Sequence, residues 1–109
     1  MIAVIFQVKP NDGRAGDYFE LAGGLKPEVE AIDGFISVER LESVSEPGKF
    51  VSLSFWRDAA AVEAWRTHAG HELAQARGKD EIFSDFRISV TEVMRDYTMA
   101  DRVGGGSEG

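Results

Sequence analysis

Both histidines of the chain stand close together, and with two tryptophans and a glutamine they form the set of side chains best able to do chemistry. Phe55-Trp56-Arg57-Asp58 reads as a strand that ends in tryptophan and passes into a helix carrying Trp65, His68, His71 and Gln75. If that helix is unbroken, these four positions fall within about one third of its circumference at roughly 100° per residue and could line one wall of a pocket. An imidazole there would serve as a general base, because its unperturbed pKa of about 6.5 lies near working pH. An indole would pack against an aromatic ring. Structural roles compete with these. A helical tryptophan is more often core than catalytic, a histidine beside a helix break is often a C-terminal cap favoured by the local dipole, and Trp56 reads as mainly structural.

Gln7 interrupts the apolar run Ile2 to Val8. A polar amide facing a core costs free energy unless it is paired, so Gln7 meets either a partner side chain or a ligand. A metal site is not expected, since His68 and His71 with the adjacent Glu72 lack a third well-placed ligand. Glu28, Glu30, Glu39, Glu42 and Glu46 read as a solvated surface.

The elements that must position these residues follow from periodicity. Ile2 to Lys9 is a strand closed by the turn Pro10-Asn11-Asp12-Gly13. From Gly16 to Ile32, Tyr18, Leu21, Ala22, Leu25, Val29 and Ile32 recur at helical steps, with Pro27 predicting a kink or two abutting segments. Gly23-Gly24 suggests close backbone packing rather than a phosphate cradle, since no strand feeds the pair. Asp33-Gly34 ends that helix, and strands from Phe35 to Val44 and Lys49 to Trp56 form a hairpin around Glu46-Pro47-Gly48. Asp58 caps the helix that begins at Ala59, which Gly70 is expected to break. A last strand is expected from Phe86 to Tyr97, making residues 1–97 one domain, with 98–109 a flexible tail.

This βαββαβ order in 109 residues predicts a ferredoxin-like α+β sandwich, with a four-stranded antiparallel sheet covered by helices on one face. Both faces of the sheet carry large apolar residues, so the uncovered one is expected to be buried against a second copy in a sheet-to-sheet homodimer. A formal net charge of −7 excludes a nucleic-acid or anionic-membrane partner. The absence of cysteine excludes disulfides, thiolate zinc sites and cysteine nucleophiles. No apolar run is long enough to span a bilayer and no basic segment follows Met1, so the cytoplasm is the expected compartment.

Taken together, Ile32-Asp33-Gly34-Phe35, Ser54-Phe55-Trp56-Arg57-Asp58, Ala64-Trp65-Arg66 with His68, His71, Ala74-Gln75 and Gly78, and the ending Val93-Met94-Arg95-Asp96-Tyr97 resemble the antibiotic biosynthesis monooxygenase (ABM) domain of the dimeric α+β barrel superfamily. The resemblance spans Ile2 to Tyr97. It implies a dimeric α+β barrel and one of two chemistries. Quinol and anthrone monooxygenases oxidise polyphenols with dioxygen and neither metal nor flavin. In that branch the tryptophan is followed six residues later by a proton-transferring side chain, the place of His71 after Trp65. Haem-degrading members carry an asparagine in strand one, a helical tryptophan, and an axial histidine ten residues after it; here these places hold Gln7, Trp65 and Gln75. The resemblance therefore implies a cofactor-independent monooxygenase acting on a small aromatic or polyphenolic substrate. Its catalytic set would be His71 as base, Trp65 against the substrate ring and Gln7 as donor to the developing oxyanion. His68, Gln75 and Trp56 would be substrate contacts, with Arg87 outside the site. Haem as substrate or ligand, or a non-catalytic binding module, is the alternative.

Overall fold

The alternating apolar residues of the chain form the strands β1 (Ile2–Pro10), β2 (Phe35–Glu42), β3 (Phe50–Trp56) and β4 (Phe83–Glu92). The helical repeats form α1 (Ala15–Glu30) and α2 (Ala59–Gln75), so the order is βαββαβ. The computed structural model describes the backbone of residues 1–75 and 83–101, and the side chains of 1–68 and 83–101. The sheet order is β2-β3-β1-β4, with every pairing antiparallel, as the ferredoxin-like expectation required.

Three elements differ from the sequence expectation. Pro27 does not divide α1, which stays helical through it to Glu30. It stands in the last turn, where its ring forfeits the bond to one carbonyl while its own carbonyl still accepts from Ala31 N at 3.2 Å. Nor are Gly23 and Gly24 sites of close packing, since a Cβ on either would meet nothing within 4 Å. Gly70 does not interrupt α2, which runs to Gln75.

The last strand begins and ends earlier than expected because its partner decides its limits. Pro10 pairs with Phe83 beyond a register shift, Ile2 pairs with Glu92, and Val93 N bonds Met1 O at 3.0 Å as β1 runs out. Past it, Thr98 and Asp101 each accept from the other's backbone N–H, which starts a helical turn at 99–101.

Strand alternation divides the sheet into two faces. Ile2, Val4, Phe6 and Val8 share a face with Trp56 and Phe50, and both helices pack there. One cluster joins Val4 and Trp56 to Val29 of α1 and Ala61 and Val62 of α2. The other joins Val8 to Tyr18, with Phe50 and Phe83 packed around the phenol ring. Burial pushes the Tyr18 phenol above its ordinary range, although Arg40 beside it opposes the shift.

Ala3, Ile5 and Gln7 point the other way with Val51, Leu53 and Phe55, and among the described residues none of α1 or α2 joins a core there. No described helix is long and apolar enough to cross a membrane.

Candidate active site

Two short segments fix where α2 starts, and glycine is needed for their approach. Gly34 lies at φ +100°, and a Cβ on it would fall 2.7 Å from Ala61 Cβ in the first turn of α2. Its carbonyl accepts from Arg57 N at 2.7 Å. The Arg57 guanidinium grips both oxygens of Asp33 at 3.2 and 3.1 Å and donates from Nε to Asp58 at 3.1 Å. Asp58 in turn caps α2 by accepting from Ala61 N at 3.0 Å. The segments Asp33-Gly34 and Arg57-Asp58 thus form one joint that sets the angle of α2 against the sheet.

The charges of this joint make it sensitive to acid. Hydrogen bonding to Arg57 holds the Asp33 carboxyl below its ordinary value of 3.8, and the Ala61 N–H followed by Arg57 does the same for Asp58. A carboxyl whose folded pKa is depressed stabilises the fold above its unfolded value and loses that contribution as pH falls through the folded one. The melting temperature of Asp33→Asn is accordingly expected below that of the native chain at neutral pH, with the gap closing as pH drops below 3.8. The effect is modest because both carboxylates are solvated. A gap unchanged down to pH 2 would show that Asp33 acts through packing rather than charge.

Along α2, the inward face begins with Ala61 and Val62 in the core and continues to Trp65. The Trp65 indole stacks on Trp56 with centroids 6.5 Å apart and planes 18° from parallel, and His68 lies 6.0 Å from Trp65. His68 also reaches across to α1, where its Nε2 stands 2.8 Å from Glu28 Oε1. With Glu28 ionised and the ring neutral, the carboxylate can only accept, so Nε2–H donates and Nδ1 carries the lone pair. Glu28, Ala31, Ile32, Ala64 and His68 line an open groove of about 420 Å³ between the two helices.

The structure brings together only part of the expected set. Trp65 and His68 adjoin one another, and of the two His68 lines the groove. Gln7 is a correction: it pairs with Val51 and Arg87 on the helix-free face, so the sheet itself separates it from Trp65. Period-two alternation gives the helix-facing place at mid-strand to Phe6 instead. Trp56 is fully buried, and its indole N–H donates to Ser54 Oγ at 2.9 Å, so it supports Trp65 from beneath. Helix α2 runs unbroken through His71 to Gln75, but the side chains of both lie outside the described residues. Among the described residues no group of three or more potential ligands could hold a metal ion.

Glu28 is the residue that sequence reasoning assigned to solvent. A signal was present: Glu28 falls among Leu21, Leu25 and Ile32 at helical steps of four, three and four, on the inward stripe of α1. A carboxylate on an apolar stripe needs a partner, and His68 is that partner.

A second apolar surface lies on the helix-covered side. Phe86, Ile88 and Val90 of the edge strand β4 stand 44, 53 and 56% exposed, in register with Val8, Phe6 and Val4.

The model for the family described as antibiotic biosynthesis monooxygenase matches residues 1–77. The chain belongs to that family. It is 43% identical over 93 residues to a protein named jasmonate monooxygenase ABM from Pyricularia oryzae, covering 85% of this chain and 43% of the relative's length. Among solved structures, Rv0793 from Mycobacterium tuberculosis superposes with a TM-score of 0.75 at 21% identity, over 89% of this chain and 98% of that one. A MhuD mutant with two manganese protoporphyrin IX molecules bound per active site gives a TM-score of 0.72 at 15% identity, over 90% and 99% of the two chains. These two likenesses concern the ABM fold. The same fold places the Asp33-Gly34 and Arg57-Asp58 joint at the root of the helix that carries Trp65 and His68.

Proposed function

We propose that this ABM-family protein is a cofactor-independent monooxygenase acting on a small, apolar, conjugated molecule of the quinol or anthrone type. The observation that carries the reading is the placement of Trp65 beside a histidine-bearing groove between α1 and α2, in a chain 43% identical to a named monooxygenase. In such chemistry the substrate is its own reductant. A base removes a proton, the carbanion or phenolate passes one electron to dioxygen, and the radical pair combines. A CH₂ flanked by conjugating groups becomes C=O while its two hydrogens leave with the second oxygen atom as water. The electrons balance without a cofactor. The base is one of the two histidines of α2: the family spacing suggests His71, while the contacts described are those of His68.

The test is oxygen uptake by metal-free protein against hydroquinones, anthrones and jasmonate, with His71→Ala beside the native chain. Jasmonate is assayed with and without an added electron donor, because hydroxylating a saturated carbon consumes two external electrons. Uptake of one dioxygen per molecule converted is expected with a conjugated substrate. Absence of uptake above the uncatalysed rate would overturn the reading. A Soret band saturating at one haem per subunit would then favour haem, a reading that has lost the support of Gln7.

The helix-free face supports a second proposal, that two copies pair sheet to sheet. Ala3, Ile5, Val51, Leu53 and Phe55 make it too apolar to remain in water. Light scattering at micromolar concentration is expected to give twice the chain mass, and Leu53→Asp to shift it toward the monomer. A native monomer mass would mean that this face is solvated.

A further inference from the structure

We propose that His68, positioned by Glu28, is the group that takes the substrate's proton, and that the groove between α1 and α2 is where the reacting carbon or oxygen sits. This assignment rests on the monooxygenase reading above and deepens it.

A histidine that merely caps a helix stands at its end, whereas His68 lies seven residues before the end of α2. Its ring is instead held by a carboxylate from a different helix, 40 residues away in sequence, at 2.8 Å. Both side chains are half-buried, enough for the pair to be oriented and open enough for a ligand to reach it. They line the same groove, and Trp65 lies 6.0 Å from the imidazole.

That arrangement does what a base needs. The Nε2–H bond to Glu28 fixes the tautomer and leaves the Nδ1 lone pair to accept. When the substrate's C–H or O–H bond breaks, its electron pair stays on the substrate and the proton moves to Nδ1. The imidazolium keeps its Nε2–H bond to Glu28, whose negative charge offsets the new positive one. Dioxygen, the co-substrate, is reduced by the substrate anion, and His68 does not change oxidation state. Trp65 offers an indole face beside the base for a planar ring.

The experiment compares native protein, His68→Ala, Glu28→Gln and Glu28→Ala on whichever panel substrate the native chain turns over. His68→Ala is expected to lose about 10²- to 10⁴-fold in kcat with KM little changed, the range for a general base. Added imidazole should restore part of the rate, since the groove is open. Glu28→Gln keeps an acceptor but not the charge and should lose about 10- to 100-fold, with Glu28→Ala lower still. In ¹⁵N spectra, the native His68 ring should show the Nε2–H tautomer and Glu28→Ala a mixture. Native-like kcat in His68→Ala, or a loss that imidazole does not restore, would overturn the assignment while leaving the monooxygenase reading intact. If the native chain turns over no panel substrate, the monooxygenase reading fails and the assignment falls with it.

Discussion

Replacing Trp56 with alanine is expected to cost about 3–5 kcal/mol of folding free energy, the range for deleting a large buried aromatic side chain. Trp56 is 0% exposed, meets Phe35 edge-on at 5.4 Å and stacks under Trp65 at 6.5 Å. Its removal leaves a cavity where the two helices and the sheet meet, and the surrounding side chains, fixed to α1, α2 and the strands, can collapse into it only in part. A domain of this size has about 5–15 kcal/mol in all, so the variant should sit near its unfolding threshold. Urea titration would show the loss as a lower midpoint. Two milder variants separate volume from polarity. Ser54→Ala removes the acceptor of the indole N–H while keeping the ring, and should cost about 1–3 kcal/mol. Trp56→Phe keeps most of the ring and leaves no N–H to satisfy, so it should fall between native and alanine. A loss below about 1 kcal/mol in Trp56→Ala would mean that the ring carries little of the core. Because Trp56 is the surface on which Trp65 rests, the same substitution should also weaken substrate binding in whatever fraction stays folded.

Gly34→Ala is expected to cost about 2–4 kcal/mol through two additive causes. The φ of +100° is a backbone conformation that a side chain disfavours, and the added Cβ would lie 2.7 Å from Ala61 Cβ. Neither atom is the end of a flexible chain, so relief requires α2 to move away from the turn. That motion would lengthen the 2.7 Å bond from Arg57 N to Gly34 O and disturb the grip of Arg57 on Asp33. The groove lies about two turns farther along α2, so Gly34→Ala should lower activity as well as stability. A double-mutant cycle with Ala61→Gly distinguishes the causes. If contact matters, the double variant recovers part of the loss; if only φ matters, the two changes add.

The resemblance of the chain to the ABM domain was carried by residues whose physical task is now plain. Ile32-Asp33-Gly34-Phe35 and Trp56-Arg57-Asp58 sit far apart in sequence, yet they form one joint through Arg57 and Gly34. The turn needs glycine and the helix start needs a capping acid, and both requirements are local enough to show in sequence. The ends of β4 were not legible, because a strand stops where its partner does. The length of β1 set that limit, rather than any residue between Val93 and Tyr97.

The candidate site divides the same way. Helical periodicity brought Trp65 and His68 together, since a 3.6-residue repeat is written directly in spacing. Strand periodicity could also have sent Gln7 to the far face, for it stands one residue from Phe6 and alternation is strict. What one chain segment cannot state is which face its neighbours will cover, so the separation of Gln7 from Trp65 became visible only once both helices lay on the Val4 and Val8 side. Sequence by itself determined the order of elements, the cap at Asp58, the glycine at the turn and the histidine-bearing helix, because each depends on torsions and contacts within a few residues. Tertiary structure alone decided that Glu28 meets His68, that Trp65 rests on Trp56, and that the groove lies between two helices. Those outcomes depend on distances between segments some 40 residues apart, which no local pattern encodes.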